Sequence, residues 1–155
     1  MAENYRLLVF LLDGIKFSLF LENVDRVIQA VEITPLPKVP DSIMGIINVH
    51  GEILPILDIR RKFNLLQKKL TIHDKIIITK TPAKKFGFVV DDIEGYFETT
   101  AHAVIKGESV WPGMEYVDEV VKLSDELVLI NNPEKFFIAK EIDEYNKAIK
   151  NIKPN

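Results

Sequence analysis

The sequence predicts an all-β protein with short helices, in which two small, strongly bent β-units pack together and a helix closes the C-terminus. Three observations carry this prediction. Apolar residues recur mostly with period two or in short unbroken runs, as half-buried and fully buried strands require. Turn-forming pairs such as Asp13-Gly14 and His50-Gly51 separate the runs. The chain also echoes itself. Residues 17–27 align without gaps on residues 86–96, with apolar on apolar at Phe17/Phe86, Leu19/Phe88, Phe20/Val89, Leu21/Val90 and Val24/Ile93, and acid or amide at Glu22/Asp91 and Asn23/Asp92. A second echo, in the same order, joins residues 52–56 to 126–130, each followed by a turn and a helical piece ending in Phe63 or Phe137. In a chain of 155 residues neither half has much core of its own, so the halves should bury apolar surface against each other. The expected organisation is one domain over 1–155, with β-units at 5–66 and 67–137, a boundary near 66–73, and a C-terminal helix and tail over 138–155.

The elements follow in chain order. Residues 6–12 are apolar on both faces and read as a buried strand. Asp13-Gly14 is a two-residue hairpin signal. Ile15, Phe17, Leu19 and Leu21 then alternate with polar positions, with Phe20 the exception on the polar face. Residues 24–31 read as a third strand. Pro35, Pro37 and Pro40 stiffen residues 32–42 into an extended loop that cannot join a sheet centrally. A strand, the His50-Gly51 turn, a second strand over 52–57 and a one-turn helix begun by Asp58 come next. Later strands are expected at 75–79, 86–90, 95–99, 116–123 and 127–130, with an irregular segment at 101–113. Residues 133–149 space their apolar side chains for a helix docked by one face, with a frayed tail from 150.

Composition and motifs exclude most chemistry. The chain is 47% hydrophobic and 28% charged with a net charge of −3 and no cysteine. A disulfide framework and a cysteine-ligated metal are excluded. Neither the charge balance nor the short basic pairs Lys68-Lys69 and Lys84-Lys85 favours nucleic acid. The N-terminus lacks the features of a secretion signal, and no apolar run approaches a spanning length, so a soluble cytoplasmic protein is expected. His50, His73 and His102 stand at no ligand spacing, so neither a metal nor a cofactor is expected. Asp91-Asp92 with Glu94 reads as a solvated turn rather than a cation or acid–base site. Asn132-Pro133 starts a helical turn parallel to that at Asp58. Trp111, beside Pro112 and Gly113, is equally an interface anchor or a barrel plug. What remains is apolar surface. Val24, Val27, Ile28 and Val31 precede the proline loop, and Ile33, Leu36 and Val39 lie in it. Some should stay exposed as a groove that takes a partner's apolar helix face, although core burial competes for each, above all for Val27.

These residues carry a resemblance to the CheW-like domain family of bacterial chemotaxis. The matching parts are residues 8–20, Val24-Asp25-Arg26-Val27-Ile28, Ile33-Thr34-Pro35-Leu36-Pro37, the dense stretch 45–60 (GIINVHGEILPILDIR), Val90-Asp91-Asp92-Ile93 and 126–137. Together they span about residues 5–137. The resemblance implies two SH3-like five-stranded β-barrels side by side, with the first strand able to cross into the other barrel. It implies a non-catalytic adaptor between the cytoplasmic tip of methyl-accepting chemoreceptors and the regulatory domain of the histidine kinase CheA. Any membrane association would be indirect, through the receptors. Receptor contacts are expected at Val24, Arg26, Val27, Ile28, Val31, Leu36, Asn48 and His50; no residue set is expected for the kinase. Two positions depart from the family pattern. His50 stands where the family usually carries Arg, and Arg26 where it often carries Glu. Histidine is shorter and lacks the planar donor fork of arginine. An adaptor for a different CheA-like kinase, with altered or lost receptor binding, is the alternative these departures raise.

Overall fold

The computed structural model describes residues 3–101, 103–106 and 115–152; His102 and Trp111 fall outside them. β1 (Glu3–Leu12) and β2 (Ile15–Phe20) form a hairpin whose turn residues Asp13 and Gly14 both have positive φ, 52° and 76°. That handedness matches the twist of the flanking strands. A 3-10 turn, Leu21–Asn23, leads into β3 (Val24–Gln29). After the proline loop, β4 (Ile43–Val49) and β5 (Glu52–Leu57) pair across His50 and Gly51, again both at positive φ. The single-turn α1 (Ile59–Lys62) follows, capped by the Asp58 carboxylate, which accepts from the Arg61 N–H at 3.1 Å. The second half supplies β6 (Lys75–Lys80), β7 (Lys85–Val90), β8 (Asp92–Ala101), β9 (Ala103–Lys106), β10 (Val117–Leu123) and β11 (Glu126–Asn131). A 3-10 turn at Pro133–Lys135, capped by Asn132, precedes α2 (Ala139–Ile152). The expected helix over 133–149 thus starts later and runs further. The segment expected to be irregular contains β9, and the strand expected to reach 31 stops at Gln29.

The strands form two sheets, ordered β8-β1-β2-β11-β10-β9 and β3-β6-β7-β5-β4. This corrects the expected division. The repeat is real, but each half gives its first two strands to one sheet and its next strands to the other. Thus β1 and β2 of the first half sit with β8, β10 and β11, while β6 and β7 of the second half sit with β3, β4 and β5. The units 5–66 and 67–137 are sequence repeats, not barrels. Each sheet holds five repeat-derived strands, with β9 added at one edge. Two parallel pairs seal the exchange. β11 meets β2 at Ile130↔Ser18, and β5 meets β7 at Ile56↔Gly87. Ile130 and Ile56 are equivalent in the echo, as are Ser18 and Gly87, so the two seams share one register. The first echo, 17–27 on 86–96, covers the two places where the chain crosses between sheets.

Three apolar clusters fill this frame. Tyr5, Leu7, Val9, Val121, Val128 and Ile130 fill the six-stranded sheet, with Phe20 packed on them. Ile47, Leu54, Ile56, Ile76 and Ile78 fill the five-stranded one. The largest cluster lies between the sheets and draws on Phe10, Phe17, Phe86, Phe88 and Phe136. Alternate residues of β1 and of β6 face different clusters, which is why β1 reads as apolar on both faces and β6 buries three successive isoleucines, Ile76, Ile77 and Ile78. Phe10 and Phe88 meet at 5.6 Å between ring centroids, and Phe88 and Phe136 at 5.5 Å edge to face. Arg60 locks the hairpin to one crossover. Its guanidinium donates to Asp13 at 2.7 Å and to both oxygens of Asp91 at 2.6 and 2.7 Å. Asp91 is therefore a structural acceptor and not the solvated turn expected for it.

α2 docks with Tyr145 and Ala148 buried in the shared core, and Ile142 and Ile149 beside them. Its anchor is polar. The buried Glu141 carboxylate accepts from Lys62 Nζ at 2.9 and 2.8 Å, from the Ser42 hydroxyl, and from the Ile138 N–H at 3.1 Å, the last capping the helix. Burial alone would raise the Glu141 carboxyl, but the bonds from Lys62, Ser42 and Ile138 outweigh it and hold it below the ordinary value of 4.5. A carboxyl depressed by folding contributes stability that is present above its unfolded value and lost as pH falls through its folded one. Thermal melts of the native chain should therefore lose stability between about pH 5 and pH 3 more steeply than those of Glu141→Gln. Parallel curves for the two proteins would show that this carboxylate does not anchor the helix.

Candidate protein-interaction surface

β3 is an edge strand of the five-stranded sheet, and its exposure decides which of its side chains can meet a partner. Val27 and Val31 are 38% and 44% exposed. Val27, the residue for which core burial competed most strongly, thus faces solvent. Ile28 is half-buried against the inner cluster of its sheet, and Val24 half-buried against the shared core. Leu36 is only 6% exposed. It props the proline loop from beneath and is not part of the open surface, because the loop folds it into the shared core.

The polar members lie on the same sheet. Arg26 is exposed and its Nε donates to the Asp25 carboxylate at 3.2 Å. Asp25 also faces Lys85 at 3.8 Å, and Lys85 reaches Glu52 at 3.2 Å. A line of alternating charge therefore runs from β3 across β7 to the first residue of β5. His50 stands two residues before Glu52, exposed, at φ 51° in the β4–β5 turn. Its neighbour Asn48 is exposed, and its Oδ1 accepts from the Gly51 N–H at 2.7 Å, fixing the turn. Arg26 is thus joined to the His50 turn through a relay of charges rather than as one half of a direct pair. No such relay could be read from the sequence, because Asp25, Lys85 and Glu52 come from three separate strands.

The proline loop is tied down by close backbone contact. Thr34 exchanges hydrogen bonds with Ile46 at 2.9 and 2.8 Å, closing the five-stranded sheet on itself through the chain that follows β3. Gly45 permits this approach: a Cβ there would lie 2.1 Å from the Thr34 carbonyl oxygen and 2.7 Å from its carbon. Sequence inspection passed over Gly45, whose only signal is a glycine inside an apolar strand.

The fold is that of paired, strand-exchanged β-barrels flanked by a helix, with, among the described residues, no acidic or histidine cluster able to hold a metal. Comparison with known proteins gives that class its family. The CheW-like domain model matches residues 6–141, and the chain belongs to the CheW-like domain family. It is 24% identical over 148 residues to a chemotaxis protein CheW of Treponema pallidum, covering 92% of this chain and 87% of that one. It is 25% identical over 132 residues to a chemotaxis protein CheW of Bacillus subtilis, covering 81% of each. The crystal structure of the scaffolding protein TtCheW from Thermoanaerobacter tengcongensis superposes with a TM-score of 0.81 at 24% identity, over 90% of this chain and 96% of that one.

Gly45→Ala should destabilise the chain by about 3 kcal/mol, the upper end for overpacking, because the clash is with backbone. It should also loosen residues 32–42, read as faster amide exchange at Thr34 and Ile46. An unchanged midpoint in urea with unchanged exchange would mean that the loop is held by other contacts.

Proposed function

We propose that this protein is a non-catalytic chemotaxis scaffold that couples methyl-accepting chemoreceptors to the histidine kinase CheA. The family membership carries this reading. The geometry adds an exposed sheet edge, exposed apolar side chains and a charged relay, a combination suited to recognition. No helix among the described residues is long and apolar enough to cross a membrane. In this reading, attachment to a receptor array runs through protein contacts.

The receptor's helical tip then lies along β3. Val27 and Val31 supply the apolar contact, with Ile28 and Val24 behind them, and Arg26, Asn48 and His50 form the polar rim. Leu36 supports this surface from the core. A rim built on His50 has one short imidazole ring where an arginine would offer a planar donor fork. Arg26 supplies a positive charge on β3, already drawn toward Asp25 at 3.2 Å.

Co-sedimentation with a receptor cytoplasmic fragment and pull-down with the CheA regulatory domain test this reading. Val27→Asp should weaken receptor binding about tenfold or more while leaving kinase binding unchanged, since it places a charge in an apolar contact. His50→Arg should strengthen receptor binding. Kinase binding without receptor binding would favour an adaptor for a different CheA-like pathway. Binding to neither would remove the scaffold reading.

A further inference from the structure

The charge relay is built twice. Extending the echo of residues 17–27 on 86–96 by one residue at each end sets Lys16 against Lys85 and Ile28 against Phe97. Lys85 joins Asp25 on β3 to Glu52 on β5. Lys16 joins Glu94 on β8, at 3.0 Å, to Glu126 on β11. Asp25 and Glu94 are equivalent in the echo, as are Glu52 and Glu126. The turns beside the two relays match as well, with His50, Gly51, Ser124 and Asp125 all at positive φ.

The copies part beside the first carboxylate. In one, Arg26 follows Asp25, and its Nε donates to that carboxylate at 3.2 Å. In the other, the equivalent residue is Gly95, whose φ of 153° is a backbone state that residues with side chains rarely adopt. Glycine fits there and arginine does not. Phe97 takes the space instead: a Cβ added at Gly95 would lie 3.6 Å from its ring edge. That ring is 40% exposed, whereas its equivalent Ile28 is half-buried. Two open cavities flank it. One, of about 280 Å³, is lined by Lys16, Glu94, Phe97, Leu123 and Glu126, among others. The second, of about 500 Å³, is lined by Phe97, Glu98, Lys122 and Ser124, among others. Both lie at the Ser124 end of β10, and β9 runs away from that end, from Ala103 opposite Val121 to Lys106 opposite Glu119. The cations already present are engaged. Lys16 lies between its two carboxylates, and Lys122 faces Asp125 at 3.7 Å. Glu98 accepts from the Tyr96 hydroxyl at 2.9 Å and stays exposed.

We propose that the slot beside Phe97 binds an arginine side chain presented by a partner protein. The guanidinium lies on the Phe97 ring and donates to Glu94, as Arg26 donates to Asp25 in the first copy. Lys16 keeps its place, as Lys85 does beside Arg26. A guanidinium suits the slot better than an ammonium, because it is planar, stacks on an aromatic face and is less strongly hydrated. A carboxylate is repelled by Glu94 and Glu126. The slot belongs to the six-stranded sheet, away from the β3 surface, and does not rest on the receptor reading.

The test titrates the full chain, by NMR, with a capped Gly-Val-Arg-Val-Gly peptide and with versions carrying lysine, citrulline (the uncharged isostere) or glutamate in place of arginine. Shifts should appear at the Phe97 ring and at the Leu123 and Val128 methyls. The arginine peptide should bind about fivefold more tightly than the citrulline peptide, the upper range for an exposed ion pair, and about threefold more tightly than the lysine peptide, the contribution of ring stacking. The glutamate peptide should bind most weakly. Glu94→Gln should remove the margin over citrulline, and Phe97→Leu the margin over lysine. If Phe97→Leu does not fold, Glu94→Gln on the exposed rim decides. Val27→Asp, on β3, should leave these affinities unchanged, so this result and the receptor result are read independently. Equal affinities for arginine and citrulline, shifts confined to other surfaces, or no binding would overturn the proposal. So would self-association of the free chain that Glu94→Gln abolishes, because a second copy would then be the occupant.

Discussion

The parallel pairing of β2 with β11 and of β5 with β7 is the constraint on which the rest of the molecule rests. Each seam joins a strand of one repeat to a strand of the other. Neither sheet is complete without both repeats, so neither repeat can fold by keeping its own strands together. The exchange also forces the chain to cross twice between sheets, at Leu21–Asn23 and at Asp91. Those crossings carry β1, β2, β6 and β7 to the middle of the molecule, where each strand has an apolar cluster on both faces. The largest cluster therefore lies between the sheets, and Arg60 holds the β1–β2 hairpin and the second crossover together at its rim.

The repeat symmetry is broken by the segments that leave the two repeats. After Phe137 the chain continues as α2 and covers one flank, drawn down by Tyr145 and anchored through Glu141 to Lys62 and Ser42. After Phe63 it turns away at Asn64, and on that flank the Tyr116 ring packs on Phe63 at 5.4 Å between centroids. The exposed apolar edge of β3 lies at yet another place, on the five-stranded sheet beside the charged relay. A small scaffold thus presents several distinct faces without any segment having to rearrange, which suits a protein whose work is to hold others at fixed positions.

Much of the architecture was legible because it is written in local periodicity. The hairpin at Asp13-Gly14, the turn at His50-Gly51, the caps at Asp58 and Asn132 and the two-faced apolarity of β1 each arise from residues close in sequence. The repeat was legible because Phe17 and Phe86, and Glu52 and Glu126, lie at matching places in matching patterns. The exchange of strands was not. Similarity identifies equivalent strands but says nothing about which copy a strand pairs with, and two antiparallel hairpins read alike in either sheet. The candidate surface was less legible still. Leu36 lies in the proline loop and Val27 on the strand before it, both apolar, yet Leu36 is buried by the returning loop and Val27 is exposed on a sheet edge. The relay from Arg26 through Asp25 and Lys85 to Glu52, and the role of Asp91 as the acceptor for Arg60, depend on contacts between residues distant in the chain. Gly45 was missed for the same reason: its partner, Thr34, lies across a loop.

Native-state hydrogen exchange at the two seams tests the central claim most directly. If each sheet needs strands from both repeats, the amides hydrogen-bonded across β2–β11 and across β5–β7 should exchange only through global unfolding, with the same opening free energy and the same denaturant dependence. Exchange at one seam through a smaller, local opening, while the other stays protected to the global limit, would contradict the account, because one sheet could then persist without the strands it borrows.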